Sequence, residues 1–419
     1  MIHEVKSGDT LFQIAKRYNI TAETIRKLNS LKTDALALGQ KLVVAGATTT
    51  AATSTPKTSA PTSSVPSSSA AKPFSLTMPG GIASSRVANP TAQEIQSVQK
   101  QLSIIFAMQT ALDAPNNRTK YILQFKDHNM QLRTVVFHDS VKSAFSDPSY
   151  TKGVSYVGNQ IHKIPASYYQ SLGVSPKLAR ILEFVSTHEG NFDSINSYDK
   201  AIFSWGFVQF AGGGRTFHTL LALMKYRNPD LFFDAFQRFG IDVEYSYANE
   251  RFDPATTRIT TIVPSANTIL RGVDAEKHIR DNKLLHGVFI RAGHDPDIAK
   301  LQVMMATYEF INPVLRRQIT VPIAGVPTKV FIADIIRSDA GLAALIDMAI
   351  NKGVGGACET LFSPVIAEVG RQQGLLDNLE EVRQISDKAI LDLIIQRNAK
   401  DPRVTKRVSD ALAHFSSAK

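Results

Sequence analysis

Cysteine is almost missing from this chain. Cys358 is the single one in 419 residues, so no internal disulfide can form. That alone fixes no compartment, because exported bacterial proteins can also lack disulfides. Long apolar runs are missing too: nothing approaches the roughly 18 residues of a membrane span, and none is expected. The chain opens MIHEVKSGDTLFQ, a folded-domain pattern rather than a secretory leader. No dense Lys/Arg cluster with interleaved aromatics occurs, which speaks against nucleic acid. No spaced Cys or His set forms a zinc site, and His188-Glu189 is no metalloprotease motif because position 192 is Phe. Neither G-x-S-x-G nor a phosphate-binding GKS/T loop is present. Neither a metal nor any other cofactor is expected.

What is present is an ordinary globular composition, 43% apolar and 20% charged, with a basic balance of 47 − 37 = +10. Such a charge draws a chain to polyanions: nucleic acid, an anionic membrane or an anionic cell wall. The length predicts two or three domains. Composition divides it into a compact patterned segment (1–46), a Ser/Thr/Ala/Pro stretch (47–90) and a large, aromatic-rich remainder (91–419). The middle stretch has too little apolar surface to offset chain entropy and reads as a disordered linker. Within the remainder, 91–174 reads as a helical and hairpin accessory region of unknown role, and 175–419 as the main domain.

The periodicity predicts a mainly helical fold with a small β-hairpin. Ile95, Val98, Leu102, Ile105 and Met108 recur at helical spacing over Thr91–Leu112. Tyr121–Phe125 and Gln131–Phe137 suit a hairpin across Asp127-His128-Asn129. Ser175-Pro176 reads as cap and first turn of a helix that Gly190 ends. Further helices are expected at Phe217–Tyr226, Ala275–Ala292, Pro296–Tyr308, Phe331–Ile336, Ala340–Asn351, Thr360–Gln373 and Glu380–Asn398.

The stretch from 182 to 210, LEFVSTHEGNFDSINSYDKAIFSWGFVQF, carries the chemistry. Glu189 ends an amphipathic helix, where partial burial raises a carboxyl's proton affinity and suits a general acid. Asp199 follows ten residues later in a polar turn, where ionisation is favoured. Glycosidic cleavage uses such a pair, one carboxyl as acid and the other to position water or shield the sugar cation. Asp193 competes for the second role, and Asp199 also suits a plain turn. Ser204 is a candidate to hold the water, and Gln209 to bind an N-acetyl or hydroxyl group. Tyr198 and Trp205 offer flat faces for sugar stacking, though a lone Trp is as often core. Cys358, in GGACETLF, is the rival nucleophile of a cysteine peptidase.

Residues 4–44, with V-x-SGDTL, IAxxY, LN and L-x-x-GQ-x-L-x-V, closely resemble a LysM domain. The resemblance implies a small βααβ module that binds N-acetylglucosamine polymers such as peptidoglycan. It places the glycan groove at Gly8, Asp9, Thr10 and Leu11 after the first strand, and at Asn29 and Ser30 after the second helix. Independently, Val5 and Leu42–Val44 suit strands, and Leu11, Ile14, Ala15, Ile25, Leu28 and Leu31 suit two packed helices. Asp9 as helix cap and Asn29 as turn former are compatible with that groove.

The stretch around Glu189 resembles the lysozyme-like superfamily, which implies an α+β catalytic domain. The order Glu189, Asp199, Ser204-Trp205-Gly206 is similar to phage-type lysozymes, with the Glu-to-Asp gap one residue longer. Glu189, Phe192, Gly206 and Gln209 also follow the pattern of lytic transglycosylases and goose-type lysozymes, with Gly190 in place of the usual serine. DMAINKGVGG (347–356) resembles a helix end found in several wall-cutting enzymes and implies a place beside the cleft for Asn351, which also suits a helix cap. Together these imply a peptidoglycan glycosidase, a muramidase or lytic transglycosylase. A non-enzymatic wall-binding protein with a dead lysozyme-like fold is the alternative from another class. Without a leader, such an enzyme is expected to be made in the bacterial cytoplasm and to act in a target cell's periplasm. It would arrive as an antibacterial effector of a contractile (type VI) secretion machine, with a cognate immunity protein, or as a phage endolysin.

Overall fold

The computed structural model describes residues 89–140, 152–158, 165–171, 174–246, 258–266 and 268–416. In the amino-terminal module it describes 2–5, 14–15, 18, 22–31, 36 and 39–44. The stretch 47–88 of the expected linker lies outside these residues.

In the amino-terminal module, β1 (Ile2–Glu4) pairs antiparallel with β2 (Lys41–Val43), Ile2 opposite Val43, and α1 (Ala22–Asn29) covers them. Val5, Ile14, Ala15, Ile25, Leu42 and Val44 make a small buried core. Leu28, expected inside, is exposed.

The remainder is α+β, with more sheet than one hairpin. Helix α2 (Ala92–Ile105) begins with a capping box between Thr91 and Glu94. It stops at Ile105, seven residues before the expected end. Phe106–Asp113 becomes β3, drawn into register with β4 (Arg118–Lys126), and Met108 therefore sits on a strand opposite Leu123. Pairing of a whole strand outweighs a helical spacing that Met108 continues by coincidence. The expected hairpin is present as β4 and β5 (Leu132–His138). Asp127 closes its turn by accepting from the Asn129 and Gln131 amides at 2.9 and 3.0 Å.

Helix α3 (Pro176–Glu189) starts on the Ser175 cap and ends at Gly190, whose φ of 112° favours glycine. Four two-residue strands make one antiparallel sheet: β6 (Ser155–Tyr156), which precedes α3, and β7 (Ile195–Asn196), β8 (Ser204–Trp205) and β9 (Phe210–Ala211), which follow it. Next come α4 (Thr216–Arg227), α5 (Pro229–Ala235) and a second three-stranded sheet, β10 (Asp242–Ser246), β11 (Arg258–Ser265) and β12 (Thr268–Arg271). The helix expected over Ala275–Ala292 is two, α6 (Val273–Asp281) and α7 (Lys283–Gly293). Asn282 leaves the helical region, and its side chain caps the second by accepting from the Leu284 amide.

Helix α8 (Pro296–Ala306) runs into a π-turn at Thr307–Ile311, and β13 (Gln318–Ile323) pairs with β14 (Val326–Phe331), so Phe331 is a strand residue. Helix α9 (Asp339–Gly355) leads through a second π-turn to α10 (Ser363–Gln373). The expected helix 380–398 is a short turn, Leu379–Val382, then α11 (Asp387–Arg397) on its own Ser386 cap. Helix α12 (Pro402–Ser416) follows. One continuous core runs from Leu102 to Ala411, so no break in packing marks position 175. Among the described residues no helix is long and apolar enough to cross a membrane.

Candidate active site

Helices α3 and α9 lie side by side, and α12 packs against both. This brings four polar groups to one corner. Asn351 Nδ2 donates to Glu189 Oε1 at 2.9 Å. Arg407 Nη1 donates to the same oxygen and also to Asp347 Oδ1, the latter at 2.8 Å. Asp347 and Asn351 are one turn apart on α9, which aims both at the end of α3. The Glu189 side chain is 10% exposed and that of Asp347 is 0%. Burial pushes the Glu189 carboxyl above its ordinary range; Arg407 opposes this and Asp347 adds to it. Burial likewise raises Asp347 against the pull of Arg407. Next to the corner, His188 Nε2 meets Asp410 Oδ2 at 2.9 Å, and Lys406 reaches the same carboxylate at 2.6 Å.

The other half of the motif forms its own unit. Asp199 sits half-buried between β7 and β8. Its Oδ2 accepts from Asn196 Nδ2 at 3.1 Å and its Oδ1 from the Ala201 amide at 2.8 Å. Tyr198 is half-buried in the same turn, its amide donating to Asn196 Oδ1. Ser204 is buried, with its backbone paired between Asn196 and Ala211. Gln209 has a φ of 53° and donates to the Gly206 carbonyl at 2.9 Å, so its amide holds the turn, while its Oε1 is buried with no partner among the described residues. Trp205 is fully buried, edge-on to Phe236 and Phe289. It presents no face to a sugar, and the stacking role expected for it is withdrawn. Asp193, the rival carboxylate, is wholly buried; Tyr156 Oη donates to it at 3.0 Å, and His294 Nε2 lies 3.2 Å away. It braces the core.

Gln302 on α8 joins the two halves. Its Nε2 donates to the Phe192 carbonyl at 2.9 Å, and its Oε1 accepts from the Phe207 amide at 3.2 Å. Gly206, with φ 89°, lets that side chain approach: a Cβ there would stand 2.3 Å from Gln302 Oε1. Sequence reasoning missed Gln302, Asp347 and Arg407. Asp347 had a signal, its spacing of four from Asn351; Arg407 had none, being 218 residues from Glu189. Cys358, the alternative nucleophile, is buried and its thiol is pushed up to about 11, so it is held protonated and inert. Among the described residues no group of His, Cys, Asp and Glu is arranged to hold a metal ion.

In the amino-terminal module, Gly8, Asp9, Thr10 and Leu11 lie outside the described residues. The Asn29 side chain stitches α1 to β2: Nδ2 donates to the Ile25 and Val43 carbonyls at 2.8 and 2.9 Å, and Oδ1 accepts from the Val43 amide at 2.6 Å. Ser30 follows, exposed and left-handed at φ 51°.

Residues 3–45 match the LysM domain family, so the chain carries that peptidoglycan-binding module at its amino-terminal end. The chain is similar to a "Probable peptidoglycan endopeptidase LytE" of Bacillus subtilis (strain 168), 47% identical over 47 residues. That match covers 11% of this chain and 14% of that protein. It is also similar to a "Probable N-acetylmuramidase" of Lactococcus lactis subsp. cremoris (strain MG1363), 53% identical over 75 residues, 18% of this chain and 17% of that protein. The chain thus spans under a fifth of the length of either relative, and the likeness to both comes through the LysM region. No solved structure matches the chain. These likenesses associate it with the bacterial cell wall.

Proposed function

We propose that this protein is a peptidoglycan glycosidase that cuts the β-1,4 link between N-acetylmuramic acid and N-acetylglucosamine, with Glu189 as the general acid. The observation that carries the reading is a carboxyl at a helix end, nine-tenths buried and raised toward working pH, in a chain that also carries a wall-binding module. Glu189 protonates the leaving glycosidic oxygen. Asp199, fixed by Asn196 and the Ala201 amide, positions the water or shields the oxocarbenium ion, with Ser204 holding that water from within the sheet and Gln209 and Tyr198 beside the sugar. The LysM module, through Gly8, Asp9, Thr10 and Leu11 and through Asn29 and Ser30, keeps the enzyme on an insoluble substrate and raises its effective concentration there. Delivery by a contractile secretion machine into another cell's periplasm belongs to the same reading. An exported form should lyse a host that the cytosolic form leaves unharmed.

The neighbourhood of Glu189 favours one second reading. The carboxylate that shares Arg407 with it, Asp347, is wholly buried, so a lytic transglycosylase working with a single acid fits the same corner. Mass spectrometry of muropeptides released from purified sacculi decides. The hydrolase yields reducing-end muramic acid, the transglycosylase the anhydro sugar. Release that survives Glu189→Gln overturns both.

A further inference from the structure

We propose that Asn351 and Arg407 hold Glu189 by one oxygen, Oε1, so that its transferable proton is carried on Oε2. We further propose that Asp347, behind Arg407, governs how readily that proton leaves. This rests on the reading of Glu189 as the general acid.

The geometry is asymmetric. Among the described residues the two donors to the Glu189 carboxyl, Asn351 Nδ2 and Arg407 Nη1, converge on Oε1. An oxygen that accepts two N–H bonds has its lone pairs occupied, and a proton there would face two donors. The neutral acid therefore carries its proton on the other oxygen. The two donors also fix the plane of the carboxyl, so Oε2 is presented in one direction.

The charge count sets the second half. One guanidinium faces two carboxylates, Glu189 and Asp347. Asp347 Oδ2 is buried and, among the described residues, has no hydrogen-bond partner. With both carboxylates ionised, a buried corner would hold a net negative charge; retaining one proton cancels it. Each element packed on the corner contributes. Helix α3 brings His188, which eases ionisation of Glu189 and is itself turned toward Asp410. Helix α9 brings Asp347 and the neutral Asn351. Helix α12 brings Arg407, with Asp410 and Lys406 on the far side of His188. Arg407 and Asp347 thus act through Glu189 as positioning residues.

The test is a pair of opposite shifts. Asp347→Asn leaves Arg407 to Glu189 alone, so the acid loses its proton more easily. The alkaline limb of the pH–rate profile on sacculi should move down by about one unit. Arg407→Met removes the cation, and that limb should move up by a similar amount. Arg407→Lys keeps the charge but not the placement of Nη1 between the two carboxylates, so the limb should stay near wild type while kcat falls. A ¹³C-carboxyl NMR titration of the full chain, with the Glu189 signal assigned by its loss in Glu189→Gln, should show the same opposite movements without reference to turnover. Melting curves identify any variant that fails to fold; for such a variant at Arg407, Arg407→Gln, which also removes the cation, carries the test. A Glu189 midpoint unmoved in both Asp347→Asn and Arg407→Met, or moved the same way by both, overturns the proposal. If instead Glu189→Gln remains active, the assignment of the acid fails, while the titration still reports on the cluster.

Discussion

The motif 182–210 folds into two halves that are held together in different ways. The helix-end half, Glu189, finds its partners on α9 and α12, 162 and 218 residues away. The sheet half, 193–210, closes its turns locally, Asn196 donating to Asp199 and Gln209 to Gly206, while Tyr156, His294 and Gln302 brace it from elsewhere in the chain. A catalytic group needs an environment that its neighbours in sequence cannot supply, namely burial plus a distant charge. A scaffold that presents such groups only has to keep its shape.

Breaking the first half should cost most. Glu189→Gln should lower sacculus turnover by about 10²–10⁴-fold, the usual contribution of general acid catalysis, with the fold retained in circular dichroism. Activity within about twofold of wild type would remove Glu189 from the chemistry. Asp199→Asn sharpens the comparison. In a hydrolase it should cost about tenfold or more; in a transglycosylase, rates and anhydro products should barely change. Gly206→Ala tests the scaffold. A side chain there meets Gln302 and must adopt a left-handed φ, so the melting transition should report a loss of about 1–3 kcal/mol. Removing residues 1–46 should leave turnover of soluble fragments unchanged and weaken pelleting with whole sacculi.

The smallest effect concerns stability against pH. Burial holds the folded-state proton affinity of Glu189 above that of the unfolded chain. Below the unfolded carboxyl range, wild type and Glu189→Gln should be equally stable. As pH rises past it, the unfolded chain ionises more readily, so wild type loses stability that the glutamine variant keeps. The gap approaches about 1.4 kcal/mol for each unit by which the affinity is raised. Equal urea midpoints of the two proteins at acid and neutral pH would contradict this.

How much of this was legible beforehand follows the same division. Ser175, Pro176 and Gly190 bound α3 by local cap chemistry, and the position of Glu189 could be read from them. The β4–β5 hairpin was legible from alternation and its Asp127 turn. What stayed hidden was set by distant pairing or packing. Phe106–Asp113 left a helical periodicity to pair with β4, and Asn282 broke a helix by capping the next one. Trp205 was ambiguous because a core ring and a sugar platform are the same residue in the sequence; its contacts with Phe236 and Phe289 made it core. Arg407 carried no local signal at all.

The span between Glu189 and Arg407 also sets an order in time. At about 5–20 residues per second of synthesis, the arginine is made some 10–40 s after the glutamate it clamps. During that interval α3 is available to fold while Glu189 still lacks the Arg407 cation and the cover of α12. A nascent chain therefore holds this carboxyl in a half-assembled setting. Docking of α12 becomes a late step, so ribosome-stalled or prematurely terminated products would be made without the Arg407 contact to Glu189.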